Sequence, residues 1–412
     1  MFVVRIGFLK NSFIYLFGEI LSKGIPLLIL PYITSAMGSY YFGEFSLYQT
    51  YHVIIFVFIF LSFDAYIIRS AYRYSIESAI ASTFSSAMIL SVLFAIVIIA
   101  FLILDLQEIY FIVLFWSFLF ALYSILISYF QAIQDALSYV MVQAIYTIST
   151  VLVTYIIFEY VTANTLMRIL AINSGFIISL FVSALSIKKN GFRNIKLRNV
   201  YRLIRSSAIY LSILFYGIPL IFHQLGTYAK GYFDRIIIDH VFSISELGVY
   251  TLSIQLSGVM VVFISALNKA LCPKFYEALS KNKISKSQFY ILLSFLLSLP
   301  IPAWFFSILC SKYINMFFSE DYAELSSYLT PHLVGFSLYG AYLLLVNYLY
   351  YYSQTKIIAI VSMVSSCIYL LIVFLLSKFS LMHVTLSVLF SNLFSISLLL
   401  LFTFRSISLR LR

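Results

Sequence analysis

The sequence predicts an all-α polytopic membrane protein: twelve transmembrane helices in two six-helix lobes that repeat in parallel, with both termini cytoplasmic. Three observations predict it. The 412 residues are 63% hydrophobic and 10% charged, against about 25% charged in soluble domains, too little polar surface to cover a globule in water. Apolar windows long enough to cross about 30 Å of hydrocarbon recur from end to end. A Gly-x-Pro signature appears once in each half, on either side of one long basic stretch. Membrane β-barrels alternate in segments of about ten residues, and these apolar runs do not.

Hydropathy places helices near 12–37, 43–68, 80–104, 109–130, 138–158, 166–187, 206–229, 247–268, 288–310, 328–350, 357–377 and 384–404. The first is too long for a cleaved leader and no Ala-x-Ala site follows it, so it is expected to stay as helix one. Net charge is +11, which in a soluble protein would suggest nucleic acid; here the placement of the charge decides. With the N-terminus inside, the inner loops collect 20 of the 26 basic residues, among them Arg69, Arg73, Lys269, Lys274, Lys281, Lys283 and Arg405. The outer loops near 105–108 and 159–165 carry Asp105, Glu108 and Glu159 and no base. This asymmetry is the positive-inside signal, so no nucleic-acid partner is expected. Cys272, Cys310 and Cys367 stand singly among apolar residues, which suggests core packing.

The stretch KKNGFRNIKLRNVYRLIR (188–205) divides the helices into two sets of six: an N-terminal lobe 1–187, a basic cytoplasmic linker 188–205 that rests on lipid headgroups, and a C-terminal lobe 206–412. Gly24-Ile25-Pro26-Leu27 in helix one recurs as Gly217-Ile218-Pro219-Leu220 in helix seven. Gly43-Glu44-Phe45-Ser46-Leu47, opening helix two, recurs as Gly248-Val249-Tyr250-Thr251-Leu252, opening helix eight. Each lobe holds an even number of helices, so both enter from the same side; transporters use such parallel repeats to rock around a central site. Pro26 and Pro31 in helix one and Pro219 in helix seven each free a carbonyl, which a membrane tolerates where protein or a wet cavity satisfies it. Two readings stand: a shared cavity lined by helices one and seven, or independent kinks.

Charges within membrane segments are candidate functional residues. Glu19 and Lys23 lie four apart on one face of helix one, and Lys230 and Asp234 repeat that spacing in helix seven, with Arg235 beside them. Asp64 lies in helix two, Arg69 at its inner end and Arg168 near the outer end of helix six. Self-neutralised pairs and snorkelling arginines are the alternative. The chain has no phosphate loop, no metal-ligand spacing and no large outer loop, so neither an enzyme nor a cofactor or metal requirement is expected.

The stretch PLLILPYITSAMGSYYFGEFSLYQ (26–49) resembles the opening of Wzx-type polysaccharide flippases, of the multidrug/oligosaccharidyl-lipid/polysaccharide exporter superfamily. SYFQAIQDALSY (128–139), DRIIIDHVFSISELGVYTLS (234–253) and ALNKALCPKFYEAL (266–279) resemble that family's later motifs in order and spacing. Ala132 and Gln134 depart from its Phe-Gln-Gly-x-Glu, and Ser35 stands where members often place arginine. The resemblance implies a flippase of the bacterial cytoplasmic (inner) membrane, moving undecaprenyl-diphosphate-linked oligosaccharide repeat units, O-antigen or similar, to the outer leaflet. Carried onto this chain, it implies Asp234 and Arg235 as the family's Asp-Arg pair, Arg69 as the arginine closing helix two and Lys23 as a cavity cation. Read from the residues themselves, Lys230 joins Lys23, Arg69 and Arg235 as a substrate-binding cation, and Glu19, Asp64 and Asp234 are the ion-coupling or charge-switch acids. Membrane lipids and the polymerase of the same pathway are the expected partners, with monomeric action as the default. The alternatives are an O-antigen polymerase, which should carry a long outer loop, and a multidrug exporter of the same superfamily.

Overall fold

The computed structural model describes residues 18, 22–190, 197–281, 283–314 and 316–410, which are almost wholly α-helical and include no strand. Eleven stretches among them are long and apolar enough to cross a membrane. Ten coincide with expected helices three to twelve. The eleventh, Leu30–Arg73, is a 44-residue apolar stretch in which the end of expected helix one and all of helix two run together. Most of 12–21, including Glu19, lies outside the described residues.

That long stretch is three pieces. Residues 22–28 are helical and lead through Ile29, itself right-handed with φ −87° and ψ −6°, into α1 (Leu30–Phe60), which takes Pro31 into its first turn. Gly38 bends α1 with φ 68° and ψ 172°, a left-handed backbone that only glycine adopts without strain. Leu61 and Ser62 then end α1, both left-handed, before α2 (Phe63–Arg73) begins.

The chain packs as two compact units. The first comprises Met1–Met37 and Tyr48–Leu225, the second Gly38–Leu47 and Gly226–Arg412. In the first, α3 (Ile76–Ile103), α4 (Glu108–Ala132), α5 (Ala136–Tyr160) and α6 (Thr165–Asn190) pack with α1 and α2. The short α7 (Leu197–Ile204) lies on α3, and α8 (Ser207–Tyr228) belongs to this unit as far as Leu225. Aromatic rings fill its interior. His52 stacks on Trp116 at 4.1 Å, Phe56 on Phe60 at 4.6 Å, and Tyr146 on Phe176 at 4.2 Å. Gly175 lets α5 and α6 close up, since a Cβ there would come within 2.0 Å of Thr150 Oγ1.

The second unit holds a π-turn (Ala229–Phe233), α9 (Asp234–Val241), α10 (Ile244–Ser280), α11 (Lys286–Ser298), α12 (Pro300–Ile314), α13 (Leu325–Ser337), α14 (Tyr339–Tyr351), α15 (Thr355–Leu376), α16 (Leu381–Thr385) and α17 (Ser387–Arg410). Phe289, Leu293, Ala341, Leu345, Tyr348 and Leu399 form its apolar core. Cys367 is exposed on α15 and not in a core; on a lipid-facing helix an apolar thiol has no water to avoid.

Residues 38–47 cross α10 through the two glycines that the sequence repeat aligns. A Cβ on Gly43 would lie 1.9 Å from the Ile244 carbonyl oxygen, and one on Gly248 would lie 2.1 Å from that of Ser39. Ile244 precedes Gly248 by four residues and Ser39 precedes Gly43 by four, so each glycine meets the other strand of the repeat at the same offset. Three residues on, Thr251 donates to Ser46 at 3.0 Å, again repeat partner to repeat partner. The crossing is therefore pseudo-symmetric, with backbones in contact where side chains would forbid it. Gly248→Ala should cost about 1–3 kcal/mol through forced separation, while Gly258→Ala on the same helix meets open space and should stabilise by up to about 1 kcal/mol. Thermal unfolding of the detergent-purified chain reads both, and equal midpoints would rule out a close crossing.

Candidate functional site

In the second unit the charged residues gather where a helix changes register. α8 runs into the π-turn Ala229–Phe233, whose wider turn shifts every later side chain around the axis; such turns recur at functional sites. Lys230 and Asp234, four apart in sequence, take separate partners. Lys230 Nζ donates to Ser395 Oγ on α17 at 3.1 Å. Asp234, 0% exposed, uses one carboxylate oxygen to accept the hydroxyls of Tyr250 and Tyr369, both at 2.7 Å, and the other to accept the Arg235 amide at 3.0 Å. Arg235, 3% exposed, lies over the Tyr232 ring at 4.7 Å and reaches the Ser46 carbonyl at 3.4 Å. Ser366 ties the start of the π-turn by donating to the Gly226 carbonyl at 2.6 Å. Beside this set, His332 is wholly buried, with Nδ1 2.8 Å from Ser253 Oγ and its ring edge-on to Tyr250.

In the first unit, Asp64 stands in the first turn of α2 and Arg69 in its second. The Arg69 guanidinium lies 5.0 Å from the Tyr216 ring of α8, which Tyr66 also touches. Gln224 of α8 donates to Ser62 Oγ at 2.8 Å. Arg168 on α6 donates to Thr154 on α5. Lys23 and Pro26 are exposed on the 22–28 helix, and Pro219 sits inside α8. Gly217, two residues before it, packs on the Leu61 carbonyl, whereas its repeat partner Gly24 faces open space.

The structure thus brings Lys230, Asp234 and Arg235 together in one unit, and Asp64 and Arg69 together in the other. Glu19 lies outside the described residues. Sequence reasoning missed Tyr250, Tyr369, Ser395, Ser46 and Gln224. Tyr250 and Ser46 sit inside the repeated motifs, which is the signal that could have found them; Tyr369 is one of 34 tyrosines with nothing to mark it. Past the apolar stretch of α10, Glu277 forms an exposed pair with Lys281, the residue that ends the helix, and the lysine's hydrogen bond holds the Glu277 carboxyl below its usual range. An exposed pair of this kind contributes little.

A model of the polysaccharide biosynthesis protein family matches residues 8–279. The chain belongs to that family. It is similar to the Lsg locus putative protein 1 of Haemophilus influenzae, with 32% identity over 366 residues, 87% of this chain and 89% of the relative. An uncharacterized membrane protein of the same organism shares 32% over 375 residues, 88% of each chain. Among solved structures, an inward-facing multidrug resistance MATE family transporter of the MOP superfamily superposes with a TM-score of 0.74 at 13% identity, covering 96% of this chain and 94% of its own. Lipid II flippase MurJ, in an inward closed conformation, gives 0.69 at 14%, covering 97% and 90%. At these identities the likeness is one of fold.

For this family member the departures at Ala132 and Gln134 fall at the α4–α5 turn. Gln134 is left-handed, φ 59°, and donates to the Tyr72 hydroxyl, while Asp135 caps α5 through the Ser138 amide. The Asp234 cluster makes a quantitative prediction. Tyr369→Phe removes one hydrogen bond to a buried charge and should cost about 1.5–3 kcal/mol. Asp234→Ala strands two phenols and an arginine and should cost about 3–5 kcal/mol. Unfolding midpoints of the two purified variants test the order; a milder Asp234→Ala would mean that the acid carries no part of the packing.

Proposed function

We propose that the protein is a flippase that moves a polyprenyl-diphosphate-linked oligosaccharide unit, the precursor of O-antigen or a similar polymer, from the inner to the outer leaflet of a bacterial cytoplasmic membrane. The observation that carries this reading is membership of the polysaccharide biosynthesis family by a chain whose fold is that of membrane exporters. The basic residues on its membrane helices fit the cargo. A diphosphate leaving water needs cations and donors in place of its hydration, and Lys23, Arg69, Lys230 and Arg235 are the groups we assign to it. The halves 1–187 and 206–412, joined through 188–205, move by alternating access. The protein acts as a monomer, beside the polymerase that takes its product, and catalyses no covalent step. Carrying negative charge outward runs with an inside-negative potential, worth roughly 2.3 kcal/mol per charge per 100 mV.

Deleting the gene from its own strain tests the reading. Complete repeat units should accumulate on the lipid carrier, shielded from reagents outside the cell, and the surface polymer should vanish. A surface core bearing one repeat unit would instead show intact export and a polymerase, and a strain altered only in drug sensitivity would show a multidrug exporter. In the complemented strain, Lys23→Gln should slow export roughly tenfold or more, the weight of a lost charge-assisted contact, and Lys23→Arg should restore most of it. Equal export by Lys23→Gln and wild type would remove Lys23 from the substrate path.

A further inference from the structure

We propose that the cavity beside the first turns of α11 binds the headgroup of an anionic phospholipid. The cavity has a volume of about 750 Å³ and is lined by Ser285, Lys286, Ser287, Tyr290, Ile291 and Ser294. Ser285 is spent on the helix, where it and Gln288 cap each other's amides. The other five residues follow helical spacing and share one face of α11. The apolar stretch Lys286–Ile314 begins at that lysine, so the cavity lies where water gives way to hydrocarbon.

The polar groups on this face are donors that the protein leaves unused. Residues 281–286 include Lys281, Lys283 and Lys286 and no acid. Glu277, the acid just before them, is taken by Lys281, and among the described residues no carboxylate pairs with Lys286. Deeper along the face, the Tyr290 hydroxyl is buried and has no hydrogen-bond partner among the described residues. Ser294 stands apart from the serines that follow it. Ser298, Ser307 and Ser311 each donate to the carbonyl three residues back at 2.7 Å, the usual resort of a membrane serine. Ser294 lines the cavity and makes no such bond among the described residues. A hydroxyl at the edge of hydrocarbon that declines its own backbone is costly unless something else accepts its proton.

The order of these groups along the helix selects the occupant. A lysine and a serine stand at the head, Tyr290 about one turn deeper and Ser294 about two. Ile291 and Phe295 beside them are exposed. A phospholipid presents the matching sequence: a phosphate for Lys286 and Ser287, ester oxygens for the two lower hydroxyls, and acyl chains for the apolar flank. Basic pockets at the ends of membrane helices hold anionic headgroups in this way. A choline headgroup would bring its ammonium to a cavity whose one charged residue is a lysine, so the anionic lipid is favoured. All of these residues belong to the second unit. None is among the cations assigned to the cargo, and the site is independent of what the protein carries.

The test uses the full chain purified in detergent and titrated with dioleoylphosphatidylglycerol or dioleoylphosphatidylcholine, with bound lipid counted by native mass spectrometry. Wild type should hold phosphatidylglycerol about fivefold more tightly than phosphatidylcholine, the weight of one lysine at a membrane surface. Lys286→Gln should erase that preference and Lys286→Arg should keep it. Ser294→Ala, a change at an exposed position, should weaken phosphatidylglycerol about threefold, as the loss of one hydrogen bond does. Lys281→Gln, close by but outside the cavity, should leave the preference intact. Equal affinity of wild type for the two lipids overturns the site. So does a Lys281→Gln effect as large as that of Lys286→Gln, which would show diffuse attraction to a basic segment. Displacement of phosphatidylglycerol by millimolar inorganic phosphate would show a site for the free anion and overturn the lipid assignment.

Discussion

The carboxylate of Asp234 organises the second unit, because it is a charge at zero exposure inside a bundle of apolar helices. Such a group cannot be left without donors, and those it has come from three directions. Tyr250 arrives from α10, Tyr369 from α15, and the Arg235 amide from the turn of its own helix. Each phenol spends its only proton on this one oxygen atom. Three helices are therefore fixed against one another by a group with no shape complementarity of its own. Lys230, in the π-turn before it, bonds Ser395 on α17 instead of this carboxylate. Arg235 extends the cluster to the Ser46 carbonyl, and so to the crossing of residues 38–47 with α10.

That crossing explains why the two copies of the Gly-x-x-Ser/Thr motif resemble each other. They are one surface used twice, each glycine making room for the other helix's carbonyl. Any change on one side is felt at the other, which constrains both copies to small residues at the first position and a hydroxyl at the fourth. The Gly-x-Pro copies face no such mutual demand. Gly217 is pressed on a carbonyl and Gly24 is not, so the shared sequence here does not mark a shared contact.

How much of this could be read from sequence depends on the length scale over which each feature is determined. Transmembrane stretches are set by the average polarity of about twenty residues, and expected helices such as 80–104 and 357–377 appear as Ile76–Ile103 and Thr355–Leu376. The break at Leu61–Ser62 is set by one backbone torsion pair in an apolar run without Gly or Pro, held there by Gly217 and Gln224 more than 150 residues away in the chain. Nothing local announces it. The charged candidates were legible because charge in a membrane is rare; their partners were not, since tyrosine and serine are abundant in this chain and only the fold selects Tyr369 or Ser395.

The identity of those partners carries the last step. Lys230 is held by a serine hydroxyl and Arg69 by a tyrosine face. Hydroxyls, carbonyls and rings satisfy hydrogen-bonding capacity but cancel no charge. A carboxylate on each cation would neutralise it at close range and make release costly, since separating a buried ion pair leaves two uncompensated charges. A neutral partner leaves the field of the cation in place and is given up for the loss of one hydrogen bond, about 0.5–1.5 kcal/mol net. The flippase we propose, which must accept an anionic cargo and then let it go, needs cations that are ordered yet not cancelled, as Lys230 and Arg69 are. Asp234, the one wholly buried acid among the described residues of the second unit, is tied to phenols and so keeps its place without consuming the charge of Lys230.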